Sequence, residues 1–300
     1  MGEYMHIPVM LKEIIEYLNI KNNGKYIDGT LGGGGYTRAI TDVLSDKGKI
    51  LSIDLDPLAI NNFLKYKTEK NIVVNDNFAN LKKIVLDNFN KDQKFDGIVA
   101  DLGLSSAQLD DKHRGFSFEN DSSLDMAFGP GIVNNTFWIV NNYTQKELEN
   151  IIKDYGEESW AKKISWKIIE HRRKEKIINA RQLADIICQT IPKKFWSRRI
   201  NPATKTFQAL RMETNNEIEN LEKFLEQAVE LLKPGGHLII VSFHSLEDRI
   251  VKIFFKNKFR EDKNNFKILT KKPIGPSEEE VKNNFRSRSA KLRVLEKISN

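Results

Sequence analysis

A single cysteine, Cys188, in 300 residues excludes an internal disulfide and any thiolate cluster, and it fits a chain made for a reducing compartment. Long hydrophobic runs are also missing. Nothing approaches the roughly 20 apolar residues of a membrane helix, and Met1-Gly-Glu-Tyr-Met-His-Ile-Pro-Val-Met10 lacks the basic-then-apolar order of a signal peptide. A soluble, cytoplasmic protein with no membrane partner is expected. The five histidines, His6, His113, His171, His237 and His244, show neither H-x-x-x-H nor H-E-x-x-H spacing, so no metal site is expected. Internal repeats and low-complexity tracts are absent. What remains, with 40% hydrophobic residues, suffices for one large domain or two ordinary ones.

The net charge of +7 is unevenly spread. Residues 160 to 211 hold 14 Lys/Arg against Glu170, Glu175 and Asp185, a local excess of +11, so the remainder, with 34 basic and 38 acidic residues, carries −4. A concentrated basic segment on a slightly acidic protein suits a phosphate-rich partner or, equally, a set of solvated helix faces.

The first hundred residues alternate β-rich runs with helical patterns. Strands are predicted at Lys25–Asp28, Lys49–Asp54, Ile72–Val74 and Phe95–Asp101, and helices over Tyr36–Leu44, after Pro57, and over Phe78–Asn88. This order predicts a parallel sheet with helices on both faces. From about 113 to 204 no convincing strand is found, and helices are expected near Gln145–Asp154, Glu158–His171 and Ala180–Thr190. Cys188, Trp160 and Trp166 read as core residues of these helices. Beyond them a long amphipathic helix is predicted over Glu213–Leu232, a turn at Lys233–Gly236, a strand over His237–Phe243, a helix over Leu246–Lys256 and a last strand over Lys291–Lys297. Ser277-Glu-Glu-Glu280 has capping-box spacing, so a short helix is expected there.

Asp28-Gly-Thr-Leu-Gly32-Gly-Gly-Gly35 lies between a strand and a helix, where glycines let the backbone turn tightly and approach a ligand. Asp54 ends the second strand, where a carboxylate can accept hydrogen bonds from ribose hydroxyls. The loop's acidic first residue narrows the choice of ligand. A carboxylate would repel a dinucleotide's pyrophosphate, whereas S-adenosylmethionine carries an ammonium and a sulfonium. Asp-x-Thr-x-Gly-x-Gly resembles the acidic-first motif of class I methyltransferases, with Thr30 in place of the more usual glycine. Phe78 is then placed to pack on the adenine, and Asp101 ends the fourth strand at the ligand-binding edge of the sheet.

Several longer strings resemble the RsmH (MraW) family: His6-Ile-Pro-Val, Tyr26-Ile-Asp-Gly-Thr-Leu-Gly-Gly-Gly-Gly35, Asp101-Leu-Gly-Leu-Ser-Ser106 with Gln108-Leu-Asp-Asp, and Arg114-Gly-Phe-Ser-Phe118 with Leu124-Asp-Met126. So do Tyr155-Gly-Glu-Glu158, Asn201-Pro-Ala-Thr-Lys-Thr-Phe-Gln-Ala-Leu-Arg211, Ser242-Phe-His-Ser-Leu-Glu-Asp-Arg249 and Arg286-Ser-Arg-Ser-Ala-Lys-Leu-Arg293. The resemblance spans nearly the whole chain. It implies a discontinuous methyltransferase domain of the Rossmann-like α/β class (1–112 and 205–300), interrupted by an all-helical, basic, RNA-contacting domain (113–204). It implies methyl transfer from S-adenosylmethionine to the exocyclic N4 of a cytidine in the decoding centre of 16S rRNA, in an assembled or assembling small subunit. Cofactor contacts are implied at Gly34, Gly35, Tyr36, Asp54, Phe78, Asp101 and Gln108, and Asp28 joins them from the loop's own chemistry. Two positions depart from the family: Tyr36 stands where His is common, and Ala127-Phe128 where Arg usually follows Leu-Asp-Met.

The cytosine amino group is a weak nucleophile, so its N–H groups need an oxygen acceptor beside the transferred methyl. Asp101 is the first candidate, Ser105 a second, and His244 a candidate base. Phe116 and Phe118 could stack on a flipped base or anchor their loop, and Arg198, Arg199, Lys205, Arg211, Arg286 and Arg288 could meet phosphates. A carbon-5 cytosine methylase would need a thiolate, and Cys188 sits in an apolar helix pattern. A non-enzymatic RNA-binding factor and, more distantly, a nicotinamide-dependent oxidoreductase are the alternatives. A homodimer is open.

Overall fold

In the computed structural model the residues described are 8–105, 108–109, 111, 114–117, 121–197 and 200–299. They form two compact units, one from residues up to 105 and from 219 onward, the other from 106 to 218.

The first unit is built on a seven-stranded sheet. The parallel strands are β1 (Lys25–Asp28), β2 (Lys49–Asp54), β3 (Asn71–Asn75), β4 (Phe95–Asp101) and β5 (Leu232–Ser242). Two further strands, β6 (Phe266–Ile268) and β7 (Lys291–Lys297), complete it in the order β3-β2-β1-β4-β5-β7-β6, with β7 antiparallel to both neighbours. The chain leaves β1 in one direction and returns to β4 on its other side, so the reversal point where doubly wound sheets bind ligands lies between these two strands. Their residues alternate between two cores, as a parallel sheet covered on both faces requires. Ile27, Ile98 and Ile240 face the helices α4 (Leu81–Asn88), α10 (Glu217–Leu231) and α11 (Ser245–Glu261). Tyr26, Val99 and Ile239 face α1 (Leu11–Leu18) and α2 (Gly35–Val43).

Predicted elements recur with small shifts, and three differences have clear causes. The helix predicted over 213–232 begins only at Glu217, as α10, and its first two positions instead end a helix that was not predicted, α9 (Thr204–Thr214). Asn216 adopts φ 49°, while the Asn215 amide donates to the Met126 carbonyl at 2.8 Å and its oxygen accepts from Phe128 N–H. A side chain that competes for backbone partners in this way ends a helix. The segment 233–236 is a bulge inside β5, between pairings Phe95↔Leu232 and Gly97↔His237, with Gly235 at φ 72°. The short helix α12 (Glu278–Asn283) is capped by Ser277, but Glu280 accepts from Met10 N–H at 2.7 Å instead of closing the capping box.

The second unit is helical, comprising α5 (Thr136–Asn142), α6 (Gln145–Asp154), α7 (Ala161–Arg172), α8 (Ala180–Thr190) and α9. Its apolar face is closed by Val140, Ile152, Ile164, Ile168, Leu183 and Leu210. The expected limits of 113 and 204 are too narrow. Helix α9 belongs here, since Lys205 Nζ donates to Glu157 O at 2.9 Å and Gln208 Nε2 to Tyr155 O at 3.1 Å. Cys188, expected in the core, is half-buried, with its thiol 3.8 Å from Asn201 Oδ1.

Phe224 on α10 is fully buried under the glycine loop and meets Phe78 edge to face, with ring centroids 4.8 Å apart. Phe224→Ala is expected to cost about 3–5 kcal/mol, read as a lower urea midpoint at an unchanged slope.

Candidate active site

The site is assembled where β1, β2 and β4 end. Asp28 is fully buried at the end of β1. Its Oδ1 accepts from Thr30 N–H at 3.2 Å and its Oδ2 from the Thr37 hydroxyl at 2.7 Å, which in turn lies 2.8 Å from Ser52 Oγ. Asp28 therefore ties the loop's first turn to α2 rather than reaching toward a ligand itself. Burial pushes its carboxyl up to about 6 despite those hydrogen bonds. Gly34, at φ 73°, sits immediately before α2, where a Cβ would stand 2.4 Å from the Phe63 ring. A Cβ on Gly35 would strike Pro8 at 2.7 Å, so the loop is closely packed from both sides.

Asp54 ends β2 and accepts from Gly32 N–H at 2.7 Å and Asp56 N–H at 2.8 Å. Its two oxygens keep lone pairs free beyond these bonds, as recognition of ribose hydroxyls requires. Burial raises its pKa to about 6, and Asp56 and Asp28 add to the shift. After β3 a single 3-10 turn (Phe78–Asn80) is capped by Asn77, which accepts from Ala79 N–H, and this leaves Phe78 half-buried against Phe224.

Asp101 ends β4, and its backbone N–H donates to Thr30 Oγ1 at 2.7 Å, which joins β4 to the glycine loop. One carboxyl oxygen lies 3.3 Å from the Tyr36 hydroxyl. The other is buried without a hydrogen-bond partner among the described residues. Burial drives this carboxyl up to about 8, and the charges acting on it, from Asp28, Glu247 and Glu280, are all acidic. Geometry agrees. The Tyr36 hydroxyl has one proton and also contacts the Val9 carbonyl, which can only accept. Both contacts are satisfied together when Asp101 is protonated and donates to Tyr36. Buried in this way and beside other acids, the Asp101 carboxyl favours its neutral form.

Other expected residues fall into place differently. Ser105 is half-buried, with its Cβ 3.9 Å from where a Cβ on Gly32 would stand. Gln108 is buried in the helical unit. His244, read as a candidate base, is instead the N-cap of α11: its ring accepts from Glu247 N–H, and its other nitrogen lies 3.0 Å from the Glu247 carboxylate without hydrogen-bond geometry. Phe116 is buried against Phe128 at 5.9 Å, beneath the Arg114 guanidinium, so it anchors its loop and is no stacking platform. Arg211 is not a phosphate contact either. Its guanidinium is bidentate to Glu217 at 2.7 and 2.9 Å, with the side chain only 12% exposed. Arg286 and Arg288 are exposed, and Arg288 lies over the Phe285 ring at 4.2 Å. Phe118, Arg198 and Arg199 lie outside the described residues. Sequence reasoning passed over Thr30, Thr37 and Glu280. Thr37 carried a signal, a hydroxyl in the first turn of a helix that follows an acidic-first loop. Among the described residues no group of three or more metal-ligating side chains occurs, and no helix is long and apolar enough to cross a membrane.

A reversal-point crevice with an acid at each of three strand ends and a glycine turn is the arrangement of an S-adenosylmethionine-dependent methyltransferase of the class I, Rossmann-like kind. The chain belongs to the MraW methylase family, whose pattern matches residues 3–298. It is 44% identical to ribosomal RNA small subunit methyltransferase H of Caldicellulosiruptor saccharolyticus, over 98% of this chain and 100% of that one. The Clostridioides difficile protein of the same name is also 44% identical, over 99% and 100%. Among solved structures, an rRNA methylase from Streptococcus thermophilus aligns over 98% of this chain and 100% of that chain at 12% identity, with a TM-score of 0.46.

Because Asp101 has a folded pKa near 8, above its unfolded value of 3.8, it contributes stability at low pH that is lost as pH rises through that interval. Asp101→Asn does not titrate. Its stability relative to the wild-type apoprotein is expected to improve steadily from about pH 5 to about pH 8 and then level off, measured by urea unfolding across that range.

Proposed function

We propose that this protein transfers a methyl group from S-adenosylmethionine to the exocyclic N4 of a cytidine in the decoding centre of small-subunit (16S) ribosomal RNA. The observation that carries the reading is the buried Asp101 oxygen, without a hydrogen-bond partner among the described residues, beside a glycine loop tied down by Asp28. The names of the 44% identical relatives support the choice of RNA.

When bound, the cofactor supplies an electrophilic methyl on a cationic sulfur. Asp54 would accept from the ribose hydroxyls, the half-buried Phe78 ring would lie against the adenine, and the backbone at Gly34, Gly35 and Tyr36 would line the methionine end. Beside a bound sulfonium Asp101 would lose its proton to solvent and stand ionised. Its free oxygen can then accept from a cytosine N4–H, which directs the nitrogen lone pair toward the methyl and takes up the proton released on transfer. Ser105 is a second acceptor for the same amino group. Arg286, Arg288 and the basic helical unit would hold RNA phosphates, and Gln108 would contribute a further cofactor contact. We take the substrate as an assembled or assembling subunit, the location as the cytoplasm, and a homodimer as compatible with these roles.

Asp101→Ala is expected to lower kcat for methyl transfer at least 100-fold with RNA affinity kept. Undiminished transfer would remove Asp101 from the chemistry. Mass mapping of small-subunit RNA from cells with and without the protein tests the target. Loss of one methyl on a decoding-centre cytidine is the expected result, and its persistence would sink the assignment.

A further inference from the structure

We infer that the helical unit carries a binding face for unpaired RNA, built on Trp160, Lys163, Lys194, Phe195 and Trp196; the inference rests on the RNA methyltransferase reading above. Trp160 and Trp166 were expected in the core, yet Trp160 is half-buried and Trp166 is 49% exposed. Trp160 stands just before α7, where its backbone N–H donates to Glu158 Oε1 at 2.9 Å. A single turn after α8, Lys193–Phe195, brings the Phe195 ring to 5.3 Å from Trp160. Phe195 nevertheless remains 57% exposed and the adjacent Trp196 38%. The Trp196 indole N–H donates to Ile191 O at 2.8 Å, so the face of its ring is what it can still offer a ligand.

Each of two rings carries a cation. Lys163 Nζ stands 4.6 Å from the Trp160 centroid and Lys194 Nζ 5.1 Å from that of Phe195. Among the described residues neither lysine has a carboxylate partner. Protein-docking faces are depleted in lysine at their centre. Rings interleaved with lysines at this spacing instead match a single strand, whose bases stack on aromatic faces while its phosphates meet the cations. The 14 basic residues against three acidic ones over 160–211 favour the same partner. A duplex hides its base faces and gains nothing from exposed rings.

The test is equilibrium binding of the full chain to a labelled oligouridine of about 12 nucleotides, alone and paired with oligoadenosine. The single strand is expected to bind more tightly than the duplex. Phe195→Ala is expected to weaken single-strand binding about tenfold, and Lys194→Gln to reduce the slope of log affinity on log salt by about 0.7. Both residues are exposed, so an unchanged Tm and unchanged cofactor affinity are required of each variant. Equal binding of strand and duplex, or undiminished binding by Phe195→Ala, overturns the proposal. So does a variant that binds oligouridine normally but loses activity only on assembled subunits, which would make the face a protein contact. A wild-type chain that binds S-adenosylmethionine yet methylates no small-subunit RNA would refute the proposed function instead, and the oligouridine result would still decide the face.

Discussion

The buried Asp28 carboxylate holds the site together. Thr30 N–H and the Thr37 hydroxyl donate to it, and through them it fixes the first turn of the glycine loop on one side and the start of α2 on the other. Thr30 in turn holds the end of β4 through the Asp101 N–H, and Gly32 holds the end of β2 through Asp54. Three strand ends are thus referenced to one loop of backbone. A buried polar network of this kind specifies one arrangement, and here that arrangement sets where the strand-end acids of the crevice stand.

The same packing explains why the crevice is electrostatically unfinished. Asp28, Asp54 and Asp101 all have carboxyls raised by burial, and Asp28, Glu247 and Glu280 raise that of Asp101 further. Such an arrangement costs folding stability. That cost is a sign of function, since a folded chain that only needed a stable sheet would fill the position with apolar side chains.

Strands and loop were legible because their signals are local. Apolar runs ending in Asp28, Asp54 and Asp101 read directly as parallel strands with acids at their tips, and the glycines mark the turn. What was not legible depends on partners distant in sequence. Arg211 resembles any basic residue of its segment until Glu217 is found bidentate to it, and Phe116 resembles a stacking ring until Phe128 and Arg114 enclose it. His244 has the position of a base but the duty of a helix cap. The break at Asn215–Asn216 depends on the Asn215 side chain meeting Met126 and Phe128, far away in sequence, and the place of α9 in the helical unit depends on its contacts with Tyr155 and Glu157. Trp160 and Trp166 read as core from their helical pattern, yet Trp160 is half-buried and Trp166 is 49% exposed, because only the packing of neighbouring helices decides which ring a unit encloses.

Strand β7 lies between β5 and β6, and its first pairing joins Ser242 to Lys291, 49 residues later in the chain. On the ribosome, β5 must therefore wait with one apolar edge unpaired until β7 has emerged, and an edge of this kind invites pairing with other chains. Its other neighbour, β4, has itself waited through the synthesis of the whole helical unit. Contacts of such long sequence separation form slowly. The nascent chain thus spends its most vulnerable interval with a half-made sheet, and its yield in the cell will be set by how well that interval is shielded as much as by the stability of the finished fold.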